Sequence, residues 1–92
     1  YPSINRDIAI LIDNSIEHSE ILNTIFNSTN DLLRSVTLFD IYQDKTLDKD
    51  TKSMAYSLKF QSKDKTLTVK EIDKEMALII KNLEVKLKAK QR

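Results

Sequence analysis

The chain has 92 residues, 40% of them hydrophobic and 32% charged, with no Cys, no Gly and one Pro. That is enough for one small domain with one core and too short for a typical two-domain enzyme with its own substrate cleft, and the lack of Cys excludes disulfides and thiolate metal sites. The net charge of +1 conceals an asymmetry, since residues 1–50 hold four Lys/Arg against nine Asp/Glu and residues 51–92 hold eleven against five; a basic C-terminal half favours an anionic partner, because polyanion binding depends on local charge.

Ile4 to Asp13 alternates, with Ile8, Ile10 and Ile12 on one face and Asp7, Ala9 and Leu11 on the other, which is the period of a strand. Asp13-Asn14-Ser15 supplies turn and cap chemistry, and Ile21, Leu22, Ile25, Phe26, Leu32 and Leu33 recur at helical spacing, so a helix is predicted over about 17–34 with a break near Asn27 to Asn30. Val36 to Tyr42 is β-branched and aromatic; alternation puts Phe39 and Ile41 on one face and Leu38, Asp40 and Tyr42 on the other. Asp44 to Lys52 is a charged hairpin connector, after which Ser53 to Gln61 alternates again with Met54, Tyr56, Leu58 and Phe60 inward.

Thr68-Val69-Lys70-Glu71 reads as a capping box, in which hydroxyl and carboxylate satisfy two orphaned backbone N–H groups. Ile72, Met76, Ile79, Ile80 and Leu83 then mark one helical face, and Val85, Leu87 and Ala89 alternate with Lys86, Lys88, Lys90 and Arg92 as a fourth strand. The predicted class is α+β: a single ferredoxin-like βαββαβ domain over residues 1–92, with an antiparallel sheet in the order 4-1-3-2 and both helices on one face. Function belongs on the open face.

That face is expected to carry Lys86, Lys88, Lys90 and Arg92 on the edge strand, Asp7 and Ala9 beside them, then Ser53, Ala55 and Ser57, and last Asp40 and Tyr42. A flat small-residue centre flanked by charge and a ring suits an unpaired nucleobase, with hydroxyl and carboxylate groups for its edges and cations for phosphates. Edge-strand lysines also serve to block edge-to-edge aggregation, and Asp40 and Tyr42 also fit ordinary solvated strand positions. Signals for chemistry are weak. His18 is the single His and has no nucleophile motif to serve, so it reads as a surface residue; Asp48 and Asp50 lack an EF-hand pattern; and a chain without Gly has no P-loop or Rossmann cradle. Neither catalytic nor metal-binding residues are expected.

Several strings in order resemble the ferredoxin-fold anticodon-binding domain at the C-terminus of the phenylalanyl-tRNA synthetase beta subunit: Pro2 with Arg6-Asp7-Ile8-Ala9, Leu38-Phe39-Asp40-Ile41-Tyr42, Lys52-Ser53-Met54-Ala55-Tyr56, Lys65-Thr66-Leu67-Thr68 with Glu71, and the closing Arg92. The resemblance covers nearly the whole chain. It implies a noncatalytic appendage whose open sheet meets the anticodon stem-loop of tRNA(Phe), with RNA contacts at Ala9, Asp40, Tyr42, Ser53 and Arg92. Tyr42 would stack on a base, Asp40 and Ser53 would bond base edges, Ala9 would permit close approach, and Arg92 would meet phosphate or base.

No cofactor is implied for the domain itself; ATP and Mg2+ belong to the parent ligase, as do the rest of the beta subunit and an alpha subunit in an alpha2beta2 assembly. The chain departs from the family where glycines are usual, at Gln43 to Asp44, Asp50 to Thr51 and Lys88, and Gln91 stands in place of an apolar residue, which predicts a frayed last strand. Arg6 shares the parity of Ile8 and reads as structural, paired at the sheet end.

The start, Tyr1-Pro2-Ser3, lacks an initiator Met and a signal pattern, and no apolar run approaches the ~18 residues of a membrane span. The expectation is a fragment of a longer cytoplasmic protein with no membrane contact. The alternative function is a regulatory or protein-interaction module using the same face. A metal-trafficking domain would need a Cys-x-x-Cys loop, and a general RNA-recognition motif would show stacking aromatics where Ser53, Ala55 and Ser57 stand.

Overall fold

The computed structural model describes residues 1–29, 31–43 and 50–92. Asn30 and most of the hairpin connector, including Asp44 and Asp48, lie outside the described residues, and so do the expectations placed on them. The elements run β1 (Ile4–Asp13), α1 (His18–Asn27), β2 (Leu33–Tyr42), β3 (Thr51–Phe60), α2 (Val69–Leu87) and β4 (Lys90–Gln91). The strands form one antiparallel sheet in the order β2-β3-β1-β4, the predicted ferredoxin-like arrangement.

Alternation selects the buried face. Ile8, Ile10 and Ile12 of β1 and Met54, Tyr56, Leu58 and Phe60 of β3 form one core with Ile21 and Ile25 of α1 and Ile72, Ile79 and Leu83 of α2. Fully burying one such side chain contributes roughly 1.5–3 kcal/mol, so this cluster fixes the register of the two central strands and leaves their other face bare. Arg6 bridges from the helix side of β1 to Asp73 of α2 at 3.0 Å, as its parity predicts.

Both helices start where side chains replace missing helical partners. At α2 the Glu71 N–H donates to the Thr68 hydroxyl at 3.2 Å and the Thr68 N–H donates to the Glu71 carboxylate at 3.0 Å, the expected capping box. Lys65 completes it with an ion pair to Glu71. Helix α1 stops at Asn27, where short polar residues compete for backbone hydrogen bonds; the Ser28 hydroxyl donates to the Thr24 carbonyl. Leu33, expected in this helix, instead opens β2 and is buried opposite Phe60.

Two further expectations are corrected. Val85 to Leu87 are not in a strand: α2 continues to Leu87, and Val85 is 69% exposed on it. Leu87 lies four residues beyond Leu83 and packs against the same core, so helical spacing accounts for it as well as alternation does. Lys and Glu also favour helix over strand. Lys88 then turns the chain with a left-handed backbone (φ 56°), the Ala89 N–H donates to the Leu83 carbonyl at 3.1 Å, and only Lys90 and Gln91 pair with β1.

The second correction concerns β2. Leu38 pairs with Tyr56 while Asp40 pairs with Ala55, so Phe39 is an extra residue in a β-bulge. The bulge changes the phase of the strand: Asp40 and Tyr42 keep the open face, but Leu38 moves to the core side and Thr37 to the open side.

Candidate nucleic-acid interface

Directly paired residues of an antiparallel sheet share a face, so the register lays out the open surface in rows. One row runs Tyr42, Ser53, Leu11, Lys90; the next runs Asp40, Ala55, Ala9 and, beyond the last strand pair, Arg92; a third runs Thr37, Ser57, Asp7. Rows on one face lie two residues apart, about 7 Å. Ala9 and Ala55 project little beyond the backbone, so the middle of the surface is a shallow floor with Tyr42 and Asp40 at one edge and Lys90 and Arg92 at the other.

The C-terminal arginine crosses that floor. Its backbone N–H donates to the Ala9 carbonyl at 2.8 Å, its Nη1 donates to the Ser53 hydroxyl at 3.0 Å, and its guanidinium carbon lies 5.4 Å from the centre of the Tyr42 ring. A guanidinium over a ring face at this distance gains roughly 0.5–1 kcal/mol at an exposed site. Four of the predicted contact residues, Ala9, Tyr42, Ser53 and Arg92, are thus one connected cluster, and Asp40 is exposed in the same row as Ala9 and Arg92. The last strand is short, as its polar Gln91 suggests, but Arg92 is held at three points rather than left loose.

Ser53 is only 4% exposed. Its hydroxyl is taken up by Arg92, so in this state it positions the guanidinium. Tyr42 keeps 40% of its surface exposed. Guanidinium carries five donors in a plane, which leaves donors beyond the Ser53 bond for a ligand.

The four C-terminal cations separate into two groups. Lys90 and Arg92 take the open face, by pairing and by continuation of β4. Lys86 belongs to the last turn of α2 and Lys88 to its left-handed cap, so neither stands on the sheet surface where alternation put it. Thr37 is the residue that sequence reasoning missed there; only the bulge at Phe39 turns it outward, and no periodicity signals a bulge.

His18 is more than a solvated side chain: its Nδ1 lies 3.0 Å from the Tyr56 hydroxyl, with the rings stacked 5.6 Å apart. Burial pushes the Tyr56 phenol up to about 12. This pair lies on the helix side, away from the open face. Among the described residues no group of three or more His, Asp or Glu side chains is placed to hold a metal ion, and no helix is long and apolar enough to cross a membrane.

The chain is 41% identical over all 92 residues to a phenylalanine–tRNA ligase beta subunit of Bacteroides fragilis, and 40% identical over the same span to that of Bacteroides thetaiotaomicron, covering 11% of each relative. The beta subunit from Lactococcus lactis is 47% identical over 85 residues, which is 92% of this chain and 11% of the relative. The chain therefore spans about a ninth of the length of these curated relatives. A family model described as a ferredoxin-fold anticodon binding domain matches residues 1–92. With the predicted sheet order and a match from first residue to last, the chain belongs to the ferredoxin-fold anticodon-binding domain family.

Proposed function

We propose that this chain is the anticodon-binding domain of a phenylalanine–tRNA ligase beta subunit and that it binds the anticodon stem-loop of tRNA(Phe) on its open sheet face. The observation that carries the reading is the assembly of Arg92, Tyr42, Ser53 and Ala9 into one cluster on the face that the helices leave bare. Unpaired bases are recognised by stacking and by hydrogen bonds to their edges, and this cluster offers both. Tyr42 and the guanidinium plane of Arg92 supply stacking surfaces, Asp40 accepts from a base amino or imino group, and the remaining donors of Arg92 address carbonyl, ring nitrogen or phosphate oxygen. Ser53 sets the guanidinium, and Ala9 keeps the floor low enough for close approach.

The domain's contribution is binding and orientation. Aminoacylation, with ATP and Mg2+, falls to the rest of the ligase: the remainder of the beta subunit and an alpha subunit, in an alpha2beta2 assembly in the cytoplasm. Linkage to the parent raises the effective concentration of the domain near the RNA.

The test is an NMR titration of the labelled chain with the anticodon stem-loop of tRNA(Phe) and a scrambled-loop control at equal salt. Shifts concentrated on Ala9, Asp40, Tyr42, Ser53 and Arg92, and weakened by scrambling, are expected. Tyr42→Ala should cost about 1–3 kcal/mol of binding to the authentic loop. Equal shifts with both loops, or none on this face, would refute anticodon reading and leave the face to a protein or small-molecule partner.

A further inference from the structure

The two lysines displaced from the sheet surface reappear together at its margin. Beside the end of α2 is an open cleft of about 740 Å³, with Leu11, Ile16 and Leu87 among its apolar lining residues and Lys86, Lys88 and Lys90 among its charged ones. Helix end, cap and last strand thus bring three cations to one concavity, and the two ion pairs among the described residues, Arg6–Asp73 and Lys65–Glu71, use none of them. Asp13 is the single acidic residue of the lining, and hydrogen bonds from Ser15 hold its carboxyl below its usual pKa and so ionised. The lining as a whole carries two net positive charges.

Lys88 adds a second observation. It is the single described residue with positive φ, at the cap where glycine is the usual occupant. A residue held in an unfavourable backbone region is a pointer to function when its side chain has something to do there. The cleft also adjoins the open face: Leu11 and Lys90 line it and share a row with Ser53 and Tyr42.

We propose that this cleft is a second binding site, for a phosphodiester of the same RNA, beside the base-reading face and independent of base identity. This rests on the reading of the open face as an RNA surface. A strand crossing Tyr42 and Ser53 reaches Lys90 and then passes its backbone between Lys86 and Lys88, where ammonium groups neutralise phosphate oxygens. Point-like, flexible lysines suit that task, since a phosphate contact fixes the path of the strand and carries no sequence information.

The experiment is fluorescence anisotropy of the 92-residue chain with labelled authentic and scrambled anticodon stem-loops over a series of salt concentrations. Variants are the double substitution Lys86→Gln/Lys88→Gln, the single Lys88→Gly, and Lys70→Gln as a control about 24 Å away at the other end of α2. Removing one lysine that neutralises a phosphate should lower the slope of log K against log salt by about 0.7 on a single strand. The double variant is therefore expected to lower it by about 1.4 with both RNAs, and to weaken both by the same factor. Lys88→Gly should lower the slope by about 0.7 while the fold melts no earlier than wild type, which separates weaker binding from a weaker fold.

A slope no lower than that of Lys70→Gln, a weakening confined to the authentic loop, or equal competition by inorganic phosphate at matched ionic strength would overturn the proposal. If Tyr42→Ala leaves discrimination between the loops unchanged while the lysine variants still lower the slope, the open-face reading fails and the cleft stands. Binding of neither RNA by the wild-type chain would overturn both.

Discussion

Lys88 gives a sharp test of how the chain passes from α2 to the sheet. Its backbone stands at φ 56° and ψ 29°, where the Cβ of an L-residue crowds the following carbonyl at a cost of roughly 1–2 kcal/mol. Glycine has no Cβ to crowd, but it returns roughly 0.5–1 kcal/mol through its greater freedom in the unfolded chain. The difference leaves Lys88→Gly more stable by about 0.7 kcal/mol. For a domain of this size that corresponds to a rise in Tm of about 3–6 °C. Thermal melting followed by circular dichroism reads it directly, and Lys88→Ala, which removes the charge but keeps Cβ, should show no comparable gain. A Lys88→Gly variant melting at or below wild type would refute the left-handed cap, and with it the account of where α2 ends.

Other consequences are as direct. Ile79 is fully buried and Val85 is 69% exposed, although alternation in the sequence places Val85 inward. Ile79→Ala should therefore cost about 2–5 kcal/mol and Val85→Ala less than about 0.5, read as shifts of the urea midpoint at constant m. The ion pair with Lys65 and the hydrogen bond from the Thr68 N–H hold the Glu71 carboxyl below its ordinary 4.5. Its contribution is present above that value and disappears as pH falls through the depressed pKa, so the destabilisation by Glu71→Gln should vanish over that acid range. Tyr56, raised from 10.0 to about 12, keeps its proton in the folded state. The stability it confers is complete below pH 10 and declines as pH rises from 10 toward 12, and Tyr56→Phe should flatten that alkaline decline in melting temperature.

The strand β1, the α2 capping box and the inward residues of β3 were legible because each is a local pattern whose period or chemistry has one reading. The Val85 to Arg92 segment was not, since residues two apart and residues four apart are both apolar there: Leu87 answers to Ala89 in a strand and to Leu83 in a helix. The continuation of α2 through Leu87, which leaves Val85 exposed, decides between them, and contact with a distant element leaves no mark in local spacing. The same holds at Phe39. A bulge is one unpaired residue, visible only against the partner strand, yet it determines that Thr37 rather than Leu38 faces outward.

For the site, alternation placed Ala9, Asp40, Tyr42, Ser53 and Arg92 on the open face among other residues, and resemblance selected those five as RNA contacts. Local pattern already marks which two strand faces are apolar, where the helices begin and hence which side of the sheet stays open, because these follow from periodicity and capping within a few residues. That Arg92 lies across the floor between Tyr42 and Ser53, and that Lys86 and Lys88 leave the sheet for a cleft at its edge, emerges with the packed fold. Those placements depend on antiparallel pairing of strands far apart in the chain and on where a helix finds its last buried neighbour, which are properties of the packed chain.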